Sequence, residues 1–341
     1  MVRTKKAATS ATSLPVRRWN AMTPEQQLAA VREVCGSKGS ALVKRFDDVI
    51  AVGAGFKKSD GAVSTYVCLG LMVKKKKKYL ANVSKPIPER LMVTVLRNDK
   101  PVRLSVPTDV EELGMGKPHQ GVNTAAGVRA FNRSNPTQGV PGAACCIVID
   151  ESDATNRFIL GCHHVLALSL LTSGCAFFKD TDVSGRGTVP KFGGLFHPLP
   201  MTADGDPCLD AALSLVDSGV EVSWESSDGI KPVRVEPGVK QPLNCFVFTP
   251  NGPLAAAFVK EWANIPLQYA RCGTVVIAAA YQFQASTQGG HSGSPVMTTD
   301  GTLHGMHFWG DEQQQLSMAI PAFMLFRPGL FPVNFKLVAG S

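Results

Sequence analysis

The stretch of this chain whose residue types and spacing best suit chemistry is Gln288-Gly289-Gly290-His291-Ser292-Gly293-Ser294-Pro295-Val296. A serine set between glycines and followed by an apolar strand can present its hydroxyl on a tight turn. The glycines admit positive φ, which lets backbone amides face a carbonyl arriving at that hydroxyl. A surface turn between two strands has the same local composition. The serine therefore gains meaning only if the chain also supplies a base and a group to orient that base. Both occur upstream. Phe158-Ile159-Leu160-Gly161-Cys162-His163-His164-Val165 runs an apolar strand into a histidine pair, and Asp206-Pro207-Cys208-Leu209-Asp210-Ala211-Ala212-Leu213 puts Asp210 at the head of another.

The chain order His, Asp, Ser is that of chymotrypsin-like β-barrel proteases. These segments resemble the bacterial trypsin-like and glutamyl-endopeptidase-like serine proteases, over roughly Gly139 to Leu330. The family carries an xHV motif after its third strand, a DxAL strand and a GxSGSPV turn. The resemblance implies Ser292 as nucleophile, Asp210 as the acid, and the amides of Gly290 and Ser292 as the oxyanion hole. It favours His164 over His163 as base, because His164 directly precedes Val165. Asp204 and Asp206 fall in a turn-rich run that reads as loop.

Specificity is implied in the same way. Thr287, five residues before Ser292, and His307 in Gly305-Met306-His307 match positions that line the primary pocket of glutamyl endopeptidases. Ser286 stands where trypsin-type enzymes hold an acid. A hydroxyl and an imidazole can donate to a carboxylate or carboxamide, so Glu, Asp or Gln is expected at the cleaved position and Lys or Arg is not. The alternative that His307 is a packing residue of the second barrel stays open. Two positions depart from the trypsin pattern. His291 replaces the Asp that pairs with a freed amino terminus, and Val165 replaces a disulfide cysteine.

The elements that must position these residues read as mainly β: two six-stranded antiparallel barrels of chymotrypsin type, with the site in the cleft between them. A basic, disordered tail is expected over residues 1–20, an α+β module over 21–113, a linker over 114–138 and the protease domain over 139–341. Thr23-Pro24-Glu25-Gln26 is a helix start, with Thr23 as cap and Gln26 three residues on; Gly36 is the expected stop. Strands around Val49–Phe56 and Ser64–Val73 flank an Asp60-Gly61 turn. Further strands are expected at Met92–Leu96, Val102–Val106, Ala144–Ile149, Arg157–Leu160, Gly187–Pro190, Asn244–Phe248, Ala255–Val259 and Thr274–Ala278.

Composition bounds the rest. At 341 residues, 44% apolar and 18% charged, the chain can bury two cores. Nine cysteines without a secretory leader suggest free thiols in a reducing, cytoplasmic setting. No CxxC pair is present, so no metal is expected, and no cofactor motif occurs. The formal charge of +8 includes a run at Lys74–Lys78, which reads as a solvated strand end. Without interleaved aromatics, nucleic acid is not an expected partner. The expected partner is a protein or peptide substrate, acidic ones included. Two rival readings are a silent protease fold used for binding, and a contact to nucleic acid or an anionic surface through the lysines.

Overall fold

The computed structural model describes residues 13–338, apart from 47, 60–61, 75–85, 98–99, 113–116, 119–126, 186–190, 204, 227 and 242. The lysine run beyond Lys74, the Asp60-Gly61 turn and the strand expected at Gly187–Pro190 lie outside the described residues. The architecture is mainly β, in two sheets.

The amino-terminal part begins with helices α1 (Leu14–Asn20) and α2 (Pro24–Arg45). Thr23 and Gln26 form the expected capping box. Gly36 does not end α2, which continues through Gly39 because that glycine lets the helix lie against Val52; a Cβ there would sit 3.0 Å from Val52 Cγ2. Leu28, Val31, Val34 and Leu42 form the buried face. Residues 14–20, read from composition as part of a disordered tail, are helical. The single apolar anchor Trp19 is buried, and composition averages out such an anchor.

Strands β1 (Val49–Ser59) and β2 (Ala62–Val73) form a hairpin with Ser59 opposite Ala62. β3 (Arg90–Arg97) and β4 (Lys100–Glu112) follow, β4 pairing with β3 antiparallel and with β2 parallel. The expected linker is paired in part: β5 (Lys117–Pro118), β6 (Val128–Asn132) and β7 (Asn135–Gly142) fall in or overlap it. β6 and β7 form a hairpin. Pro136 and Pro141 are tolerated because β7 is an edge strand.

The first sheet of the carboxyl-terminal part adds β8 (Cys146–Asp150), β9 (Arg157–Gly161), β10 (Thr181–Gly185), β11 (Gly193–Pro198) and β12 (Ala212–Val216). Helix α3 (His163–Leu166) follows β9. With the late strand β20 (Phe335–Leu337), the order is β20-β8-β9-β12-β11-β10-β6-β7.

The second sheet holds β13 (Arg234–Val235), β14 (Asn244–Thr249), β15 (Gly252–Tyr269), β16 (Gly273–Gln284), β17 (Pro295–Met297), β18 (Thr302–Asp311) and β19 (Leu316–Pro321). Six of these pair in the order β14-β17-β18-β19-β16-β15, and β15 pairs back to β14, so the six pairings form a cycle. β15 is long because it serves two partners on one edge. Residues 252–257 pair with β14; beyond a bulge at Phe258/Lys260, residues 260–263 pair with β1.

The amino-terminal strands are thus a continuation of the second sheet. At the joint, Gly53 and Gly55 of β1 face Trp262 and Lys260, and a Cβ on Gly55 would lie 2.5 Å from the Val259 carbonyl oxygen. The Lys260 side chain is fully buried; its ammonium pairs with Asp109 at 2.7 Å and with Glu111. Glu111 accepts from the Gln282 amide, and Gln282 accepts from the Trp262 indole. Arg32 of α2 completes the joint through Glu261 and the Val239 carbonyl.

Candidate active site

The site is built at the seam of the two sheets. Cys208 bridges to Ile277 of β16, and its backbone bonds hold the segment leading into β12. Asp210, two residues on, is thereby fixed and fully buried. His163 and His164 are neighbours on the single turn of α3, so their side chains diverge by about 100°. His164 turns to Asp210, and His163 turns to Ser169, with Nδ1 to Oγ 3.1 Å. The structure brings His164, not its neighbour, to the acid.

Asp210 accepts three bonds: the His164 backbone N–H at 3.0 Å, His164 Nδ1–H at 2.5 Å and the Tyr269 hydroxyl at 2.8 Å. Burial pushes this carboxyl up, but attraction and hydrogen bonding to His164 outweigh it, so its pKa lies below the ordinary value of 3.8. A carboxylate that accepts from Nδ1 fixes the tautomer with its lone pair on Nε2. His164 Nε2 is buried and has no hydrogen-bond partner among the described residues. Burial lowers the His163 pKa to about 4, leaving that ring neutral at pH 7.

Ser292 lies on the turn before β17. Gly290 and Gly293 take positive φ, at 88° and 96°, as the glycine pattern suggests. Gly293 is obligatory on contact grounds as well, since a Cβ would lie 1.9 Å from the Ala143 carbonyl oxygen. The Ser292 carbonyl accepts from Ala143 N–H at 2.7 Å, and the Gly293 amide donates to His307 O. Among the described residues, no backbone bond in this turn uses the Gly290 or Ser292 amide. The Ser292 hydroxyl donates to the Phe308 carbonyl at 3.3 Å, not to His164 Nε2. His291, where trypsin-type enzymes have Asp, accepts the Gln288 amide on Nδ1 at 3.2 Å and so closes the turn from within.

The specificity candidates separate. Thr287 and His307 are buried, and His307 Nδ1 lies 2.8 Å from Ser317 Oγ. Ser286 is exposed. Asp206 is exposed, and Asp204 lies outside the described residues. Residue types alone missed Tyr269, at the end of β15, and the Phe308 carbonyl. A tyrosine closing a long strand carries no local mark of a distant carboxylate.

Cys162, His164 and Asp210 bring ligating atoms within 4.8 Å of one another. Their chemistry does not suit a metal in this arrangement. The Cys162 thiol donates to His307 O at 3.3 Å, and burial, then the Asp210 charge, hold its pKa well above the ordinary value. A metal would have to displace that bond and those on Asp210. Two cavities, of about 530 and 430 Å³, lie elsewhere; neither is lined by Ser292, His164 or Asp210.

No family model and no curated protein sequence matches the chain. Among solved structures it is similar to Thermobifida fusca protease A, at 16% identity and TM-score 0.41, over 63% of this chain and 98% of that one. It is similar also to a glutamic acid-specific serine protease that uses a histidine triad in substrate binding (11% identity, TM-score 0.41, 59% and 95% covered). A third is Nocardiopsis protease (14%, 0.38, 62% and 97%). Likeness at this level leaves the activity to be argued from the residues.

Proposed function

We propose that the chain is a serine endopeptidase acting by acyl transfer, with Ser292 as nucleophile, His164 as general base and Asp210 as the group that orients it. The observation that carries this reading is the His164 imidazole: its Nδ1 is held by a buried carboxylate while its Nε2 lone pair has no partner among the described residues. In the reaction, Nε2 takes the Ser292 proton as Oγ attacks the peptide carbonyl, then returns it to the leaving amine. Asp210 stabilises the imidazolium formed in between. The amides of Gly290 and Ser292 serve as oxyanion donors, worth ~3–4 kcal/mol each where such donors have been removed.

For the substrate, we favour acidic or carboxamide side chains at the cleaved position. Thr287 and His307 would contribute to that pocket; Ser286, being exposed, fits its rim. Nine free cysteines support a reducing, cytoplasmic setting, and no helix among the described residues is long and apolar enough to cross a membrane. The full burial of Ser292, His164 and Asp210 favours a second reading, a silent fold that binds without cutting. Labelling with a fluorophosphonate probe separates the two. Native chain should label, and Ser292→Ala and His164→Ala should not; labelling that survives Ser292→Ala rejects the nucleophile.

A further inference from the structure

One edge of β18 is shared out in order. Leu303 to Met306 pair with β17. His307 accepts the Gly293 amide and donates to Ser294 O, both at 2.8 Å. The Phe308 carbonyl takes the Ser292 hydroxyl. Trp309 and Gly310 then pair with β5, with Pro118 opposite Trp309 and Lys117 opposite Gly310. β19 occupies the other edge at the same two residues, so β5 lies on the edge that carries the nucleophile turn. Only the two residues of β5 cover this strand edge at Trp309 and Gly310 among the described residues, and it is the kind of edge on which an extended peptide adds by main-chain bonding.

Direction adds to this. The pairing is antiparallel, so the chain passes from Lys117 to Pro118 as β18 is followed back from Gly310 to Trp309, toward Phe308 and Ser292. A peptide entering in that sense would offer a carbonyl to Ser292 from its amino-terminal side, the sense in which an acyl group is delivered. We infer that Lys117–Pro118 is a pseudosubstrate held in cis, occupying the strand edge that an incoming peptide must take. This rests on the serine endopeptidase reading. The hold is thin. Two residues pair, and Pro118 has no N–H to give, so a longer peptide with more main-chain donors can displace it.

The test uses the full chain. Lys117→Pro removes the remaining amide donor of β5, and Lys117→Gly keeps it but loosens the strand. In a Ser292→Ala background, a dye-labelled peptide copying residues 112–121 should bind the Lys117→Pro chain at least about fivefold more tightly than the parent, the worth of one lost hydrogen bond. Lys117→Gly should shift binding the same way by less. With Ser292 intact, Lys117→Pro should label with the fluorophosphonate faster by a similar factor. Equal peptide affinity in all backgrounds overturns the cis block. Stronger peptide binding with no labelling of any chain keeps the block and rejects the serine chemistry; equal labelling rates and equal affinities do the reverse.

Discussion

Three donors converge on one buried carboxylate, and the chemistry of Asp210 follows from removing them singly. Asp210→Asn keeps the shape but lets the amide favour the wrong imidazole tautomer. The labelling rate should fall on the order of 10⁴-fold. Tyr269→Phe removes one of the bonds to Asp210 and should cost about 1–2 kcal/mol in urea unfolding, with a smaller loss of rate. Because the folded Asp210 pKa is depressed, its stabilising contribution is complete above the ordinary value of 3.8 and is lost as pH falls through the lower folded value. His163 acts in the same direction, in the pH range just above. Its folded pKa of about 4 lies below the ordinary 6.5, so the unfolded chain binds the extra proton between these values and stability drops as pH falls through that window. His163→Asn should flatten this loss, read as the change in urea midpoint between pH 7 and pH 4.5. The resemblance singled out His164, Asp210 and Ser292 among nearby rivals such as His163 and Asp206, and the structure sets His164 rather than His163 against Asp210. Tyr269 was not legible, since its role depends on where an 18-residue strand ends.

At the scale of elements, the α2 cap was readable because the signal is local to Thr23 and Gln26; the helix stop was not, because packing on Val52 overrides Gly36 and Gly39. The β1–β15 joint had no local signal. Gly53-Ala54-Gly55 makes sense only against Trp262 and Lys260, some two hundred residues away. Gly55→Ala should destabilise the chain by about 1–3 kcal/mol through overpacking, measured by denaturant unfolding. Lys260→Met leaves Asp109 and Glu111 without their shared cation and should cost about 3–5 kcal/mol. Restoring charge balance with Asp109→Asn and Glu111→Gln in the same chain should recover part of that loss.

For the whole molecule, one continuous sheet spans what composition divides into module and protease. A chain beginning at Gly127 would lack β1, β2 and the acids that pair with Lys260, and would expose the edge of β15. Such a truncation should show weak near-ultraviolet circular dichroism and aggregate, whereas the full chain should give one cooperative unfolding transition. Two separate transitions in the full chain would show that the joint is dispensable. The joint also sets an order of events during synthesis. The edge of β1 from Val52 to Gly55 leaves the ribosome long before Lys260–Ala263 exist to cover it. Until then the nascent chain carries an unpaired, largely apolar strand edge, open to neighbouring nascent chains. Its yield should therefore depend on how quickly the last third is translated and on holdase chaperones in the interval.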